Sequence, residues 1–177
     1  MVTPVRLALV LGPLTALLPT PAFAEDVKSG TEKDSDSEHT LVLGAGGAME
    51  LELLDGSLHL GANVMVEWEA IENWLELEVG ASLLADAHGV EVPVDLLVKK
   101  PFKLARWAEF MFGVGPEIVH VTGSNQGTYF GGEASLDFMF WPSGHRIGLW
   151  VEPEYDLIFE RTPSSGIGAT GGLLFGW

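Results

Sequence analysis

From Thr40 to the C-terminus, apolar side chains recur at every second position through stretch after stretch. A period of two writes strands with unlike faces, where an amphipathic helix would need a period near 3.6. The opening stretch, Thr40 to Leu54, sets Leu41, Leu43, Ala45, Gly47, Met49, Leu51 and Leu53 against Val42, Gly44, Gly46, Ala48, Glu50 and Glu52. After the tight-turn signal Asp55-Gly56 the alternation resumes, with Leu58, Leu60, Val64, Val66 and Trp68 opposing His59, Asn63, Met65, Glu67 and Glu69. About eight such segments, joined by short turns, occupy the chain from Thr40 onward, which predicts an all-β fold of antiparallel hairpins.

The remaining segments keep the rule. Leu75, Leu77, Val79 and Leu83 oppose Trp74, Glu76, Glu78 and Ser82, and Val90, Val92, Val94, Leu96 and Val98 oppose Glu91, Pro93, Asp95, Leu97 and Lys99. A basic turn, Lys99 to Arg106 with Lys100 and Lys103, is expected before Glu109, Met111 and Glu117 on one face and Phe110, Phe112 and Ile118 on the other. Beyond it, Glu133, Asp137 and Met139 are set against Phe130, Leu136, Phe138 and Phe140. After a turn at Trp141 to Gly144, Arg146, Trp150, Glu152, Glu154 and Asp156 oppose Ile147, Leu149, Val151, Tyr155 and Leu157. The last strand ends on Leu173, Phe175 and Trp177. Pro93 cannot donate to a ladder, so a bulge or a missing bond is expected there.

The first residues read differently. Arg6, the apolar stretch Leu7 to Leu18 and the pattern Ala22-Phe23-Ala24 predict a cleaved signal peptide over 1–24. Residues 25–39 are polar and aperiodic, and are expected to be a disordered periplasmic tail ahead of a barrel over 40–177. Cysteine is absent, so the fold must hold without disulfide staples. The formal charge is −16, or 8 − 25 = −17 once Arg6 leaves with the signal, which argues against nucleic acid as a partner. No phosphate-cradling or dinucleotide motif stands out, and no cofactor is expected.

Alternation alone fits two barrels: a water-soluble one with its apolar face inward, and a membrane one with that face outward. The breadth and aromatic content of the apolar face, with Phe110, Phe112, Phe130, Phe138, Phe140, Phe159, Phe175 and Trp177, favour lipid. On the hairpin rhythm, on Pro93-Val94-Asp95-Leu96-Leu97-Val98-Lys99 and Gly113-Val114-Gly115-Pro116-Glu117, and on the final strand, the chain resembles the small bacterial outer-membrane β-barrel proteins. This is a broad porin-like family that includes adhesion and opacity types. The resemblance implies an eight-stranded transmembrane up-and-down barrel in the outer membrane of a Gram-negative bacterium, with both ends of the barrel periplasmic. It also implies outer-membrane lipids as surroundings, barrel-assembly machinery as a partner in biogenesis, and Phe175 and Trp177 as the signal that machinery reads.

In that orientation Glu50, Glu52, Glu67, Glu69, Glu76, Glu78, Glu91, Asp95, Glu109, Glu117, Glu133, Asp137, Glu152, Glu154 and Asp156 point inward, with Lys99 and Arg146 as counter-charges. Crowded carboxylates must share protons, recruit cations or sit in water. A structural or porin-like barrel with a hydrated acidic interior is the leading expectation, and a narrow cation-binding or cation-conducting barrel is the alternative, with cations as lumen partners. An enzyme is not expected. The nearest approach to one is His120-Val121-Thr122, which has the look of the His-x-Ser pair of outer-membrane lipid A deacylases. The outer loops are short, which disfavours adhesion through them.

Overall fold

The computed structural model describes residues 40–87, 89–123, 126–142, 146–159 and 162–177. The expected signal peptide and polar tail lie outside these residues, as do the turn positions His88, Asn125 and Gly144. Eight strands follow one another: β1 (Leu41–Glu52), β2 (Leu58–Ile71), β3 (Leu75–Ala85), β4 (Gly89–Ala105), β5 (Ala108–Gly123), β6 (Gly127–Phe140), β7 (Ile147–Ile158) and β8 (Ser164–Gly176). Each pairs antiparallel with its neighbours in sequence, and β1 pairs with β8, so the sheet closes and no strand edge is left open. At the seam, the Leu41 and Trp177 backbones exchange both hydrogen bonds, which ties the two ends of the barrel together.

Exposure alternates with the sequence period. Leu41, Leu43, Leu60, Val64, Leu83, Leu96, Phe112, Leu149 and Leu173 are exposed outward, while Val42, Met65, Leu84, Leu97, Met111, Trp150 and Leu174 on the opposite parity are buried inside. Aromatic side chains gather on the outside near the end that carries the termini. Phe110 packs between Phe102 and Phe138, at 5.9 and 5.1 Å between ring centroids, and Trp107 stacks on Phe140. Lys100 reaches over Trp74 and donates to its carbonyl at 3.0 Å, which sets a charge at the same rim. Phe130 and Phe159 are exposed toward the other end. An apolar outer belt flanked by aromatics, around charged side chains within, is the inverse of a water-soluble barrel.

Prolines mark the imperfections of the ladder. The β3–β4 register is continuous, yet pairing skips from Ala81↔Val94 to Leu84↔Glu91 at Pro93. Pro116 sits in the same kind of two-residue gap between β4 and β5, and Pro153 in one between β6 and β7. A missing N–H breaks the pairing on one side of the strand, while Pro93, Pro116 and Pro153 remain paired on the other, so closure survives.

Three expectations are corrected. The basic turn is far shorter than Lys99 to Arg106: β4 runs to Ala105, and only Arg106 and Trp107 separate it from β5, because Pro101 still pairs with Met111 and Phe102 with Phe110. Arg146 is not a lumen counter-charge. It lies exposed at the bend before β7, one residue short of the strand whose parity would have turned it inward. Trp141 and Trp74 exchange expected roles, Trp141 being buried inside the barrel and Trp74 exposed in the β2–β3 turn.

Candidate functional site in the barrel interior

An eight-stranded barrel has an interior that side chains alone can fill, and this one is filled in levels. At the end that carries the termini, Val42, Met65, Met111, Met139, Trp141, Trp150 and Leu174 form a buried apolar cluster. Room for its large members comes from glycine on the facing strand. A Cβ on Gly148 would lie 2.7 Å from the Trp141 ring, and one on Gly172 would lie 2.8 Å from that of Trp150.

Beside the cluster lies Lys99, fully buried on β4. Its Nζ stands 2.6 Å from Glu78 Oε2, 2.9 Å from Glu152 Oε1, 3.0 Å from Asp137 Oδ2 and 3.6 Å from Glu67 Oε2. These four acids come from β3, β7, β6 and β2, so one ammonium ties strands from opposite sides of the barrel together. All four carboxylates are themselves buried, and a charge so placed persists only when paired. The lysine stem passes close to Gly113, where a Cβ would lie 3.0 Å from Lys99 Cγ.

Farther from the termini the acids have no such answer. A cavity of about 20 Å³, room for roughly one or two waters, is lined by Glu50, Asp95, Glu117, Glu133, Glu154 and Asp156 beside Glu78 and Glu152 of the Lys99 group. Asn63 donates to Ser82 Oγ at 3.0 Å along its wall, and Gly80 N–H donates to Asp95 Oδ2 at 3.2 Å. No lysine or arginine is among the lining residues. His59 Nδ1 lies 3.8 Å from Glu91 Oε2, an ion-pair distance rather than a hydrogen bond.

The remaining inward acids sit in less buried places. Glu52 is half-buried at the end of β1. Glu69, Glu76 and Glu109 are half-buried at the end that carries the termini, where Lys103 pairs with Glu109 across the β4–β5 ladder. The backbone N–H of Asn73, whose φ is 55°, donates to the Glu69 carboxylate in the β2–β3 turn. None of the fifteen acids expected on the inner face is exposed. His120 and Thr122 fall on the outward parity and are exposed. The His120 ring bonds Thr128 Oγ1 at 2.9 Å, and the Thr122 hydroxyl donates to the Val90 carbonyl at 3.1 Å, so the two engage different partners rather than each other.

The protein is thus a closed ring of eight antiparallel strands with an apolar exterior and a charged interior. The fold is that of the small outer-membrane β-barrels. It matches Neisserial surface protein A with a TM-score of 0.60 at 11% identity, over 77% of this chain and 96% of that one. The N-terminal β-barrel domain of Pseudomonas aeruginosa OprF matches at 0.55 and 9% identity, over 78% and 98%. Ail, the attachment invasion locus protein of Yersinia pestis, matches at 0.51 and 13%, over 78% and 99%. No family model matches the chain, and no curated protein matches it in sequence. At these identities the likeness is one of fold.

Proposed function

We propose that the protein is an integral outer-membrane barrel with a sealed, structural role. The outward apolar belt and aromatic rim support its place in lipid, because exposed Leu, Val and Phe around a whole barrel have no favourable solvent in water. The observation that carries the sealed reading is the filling of the interior: the Met and Trp cluster, and beside it Lys99 held by four carboxylates, occupy the space an ion would need. A porin of many strands conducts because its side chains cannot fill it, whereas here they do.

Planar-bilayer recording of the refolded chain, after heat-modifiable migration confirms the folded barrel, tests this reading. Silence in KCl gradients is expected. Steady cation-selective steps from the native protein would overturn it and make the acidic interior a conduction path.

A further inference from the structure

Two sets of three inward carboxylates are close enough to share one cation. They are Glu67, Glu78 and Asp137, and Glu117, Glu133 and Asp156; within each set, one oxygen from every member lies within 4.8 Å of the others. The first set already holds a cation, the Lys99 ammonium. The second lies four positions farther from the termini on β6, where no basic side chain lines the cavity. Glu133 and Asp156 are directly paired across the β6–β7 ladder, and Glu117 comes in from β5.

An independent observation points to a ligand. Glu117 is 5% exposed, lines the cavity, and its Oε2 has no hydrogen-bond partner. The residue opposite it on β6 is Gly131, where a Cβ would lie 3.2 Å from that oxygen and crowd it, and the bare backbone offers it no donor in place of a ligand. A buried carboxylate oxygen without a donor is costly, and an ion removes that cost.

We propose that Glu117, Glu133 and Asp156 bind a calcium ion inside the barrel. The donors are all carboxylate oxygens, with no histidine or cysteine among them, which selects a hard cation over zinc or copper. Calcium sits 2.3–2.6 Å from its oxygens, so three donors can ring one ion at separations of up to about 4.5 Å, near the 4.8 Å within which these three lie. Magnesium, at 2.0–2.1 Å and strict octahedral geometry, would need the three within about 3.6 Å of one another, a much tighter ring. Glu50, Asp95 and Glu154 line the same cavity and are half-buried, which lets water complete the shell. The proposal is independent of whether the barrel conducts.

Calorimetric titration of the refolded full chain with calcium chloride tests it, beside a variant carrying Glu117→Gln, Glu133→Gln and Asp156→Asn. Native protein should bind one calcium, with magnesium weaker, and the variant should lose affinity by at least the roughly 10- to 100-fold that accompanies loss of a ligand's own supporting partner. No calcium uptake by the native chain, or equal uptake by the variant, overturns the proposal. Should the variant fail to refold, crystals of the native chain soaked in terbium decide: an anomalous peak between the three carboxylates supports the site, and a peak elsewhere or none overturns it.

Discussion

Asp137 and Glu133 lie four positions apart on β6, as do Glu152 and Asp156 on β7, yet the two levels they belong to answer the same chemical problem differently. At the first, Lys99 stands within 3.6 Å of four acids. At the second, Glu133 faces Asp156 and Asp95 faces Glu117 as directly opposed like charges, and no basic side chain lines the cavity. One level is a finished electrostatic structure and the other is an incomplete one. The lesson is that the count of interior acids says little about stability, and the position of buried Lys99 says a great deal.

Removing that lysine should give the largest effect. Lys99→Met keeps the length and packing of the stem but strands four buried carboxylates, and breaking a buried ion pair costs about 3–5 kcal/mol. Urea midpoints of the refolded barrel in detergent should fall accordingly. Adding Glu78→Gln and Glu152→Gln to Lys99→Met should restore part of the loss, since the acids then no longer need a cation. A midpoint unchanged by Lys99→Met would mean that closure alone holds the barrel and the ion pairs contribute nothing.

A smaller effect, and one of opposite sign between the two levels, is expected from single neutralisations. Asp137→Asn weakens a charge-assisted hydrogen bond to Lys99 in a fully buried setting and should cost about 1–3 kcal/mol. Glu133→Gln removes one of two like charges paired across a ladder and should stabilise the calcium-free barrel by about 0.2–1 kcal/mol. Equal destabilisation by both substitutions, read from the same urea curves, would erase the distinction between the levels.

Much of this architecture was legible from period alone. The parity of Leu41, Leu43 and Met49 against Val42, Gly44 and Glu50 names the two faces of β1, and the same rule carries through eight strands because a strand's side chains can only alternate. What period cannot encode is height. Strand tilt and stagger bring Glu67, Glu78, Asp137 and Glu152 to one level around Lys99, and no pattern within a single strand records which acids will meet. Trp141 shows a second limit. Its neighbours Pro142, Ser143 and Gly144 read as a turn, yet its N–H bonds the Trp107 carbonyl and its ring enters the barrel over Gly148. Apart from Trp141, the Met and Trp cluster was visible as inward residues but not as a plug, since plugging depends on how those side chains meet across the barrel.

The smallest expected effect lies outside the interior and separates burial from charge as the source of acid sensitivity. Asp55, in the β1–β2 turn beside Gly56 at φ 79°, accepts hydrogen bonds from the Ser57 hydroxyl at 2.6 Å and the Ser57 N–H at 2.8 Å. Those bonds, the hydroxyl first, hold its carboxyl below the ordinary carboxylate range. A group lowered in the folded state adds stability in full above its unfolded value, near 3.9, and that contribution is lost as pH falls through the lower folded value. Asp55→Asn should therefore be slightly less stable than the native barrel at neutral pH, with the gap closing below about pH 4. Lys99→Met should also lose its deficit on acidification, but from a far larger starting gap, as the stranded interior carboxylates take up protons and so leave less buried charge unpaired. Urea midpoints followed from neutral to acid pH resolve the two. If the Asp55→Asn gap persists undiminished to the lowest pH, the turn owes its stability to shape and not to the charge on its carboxylate.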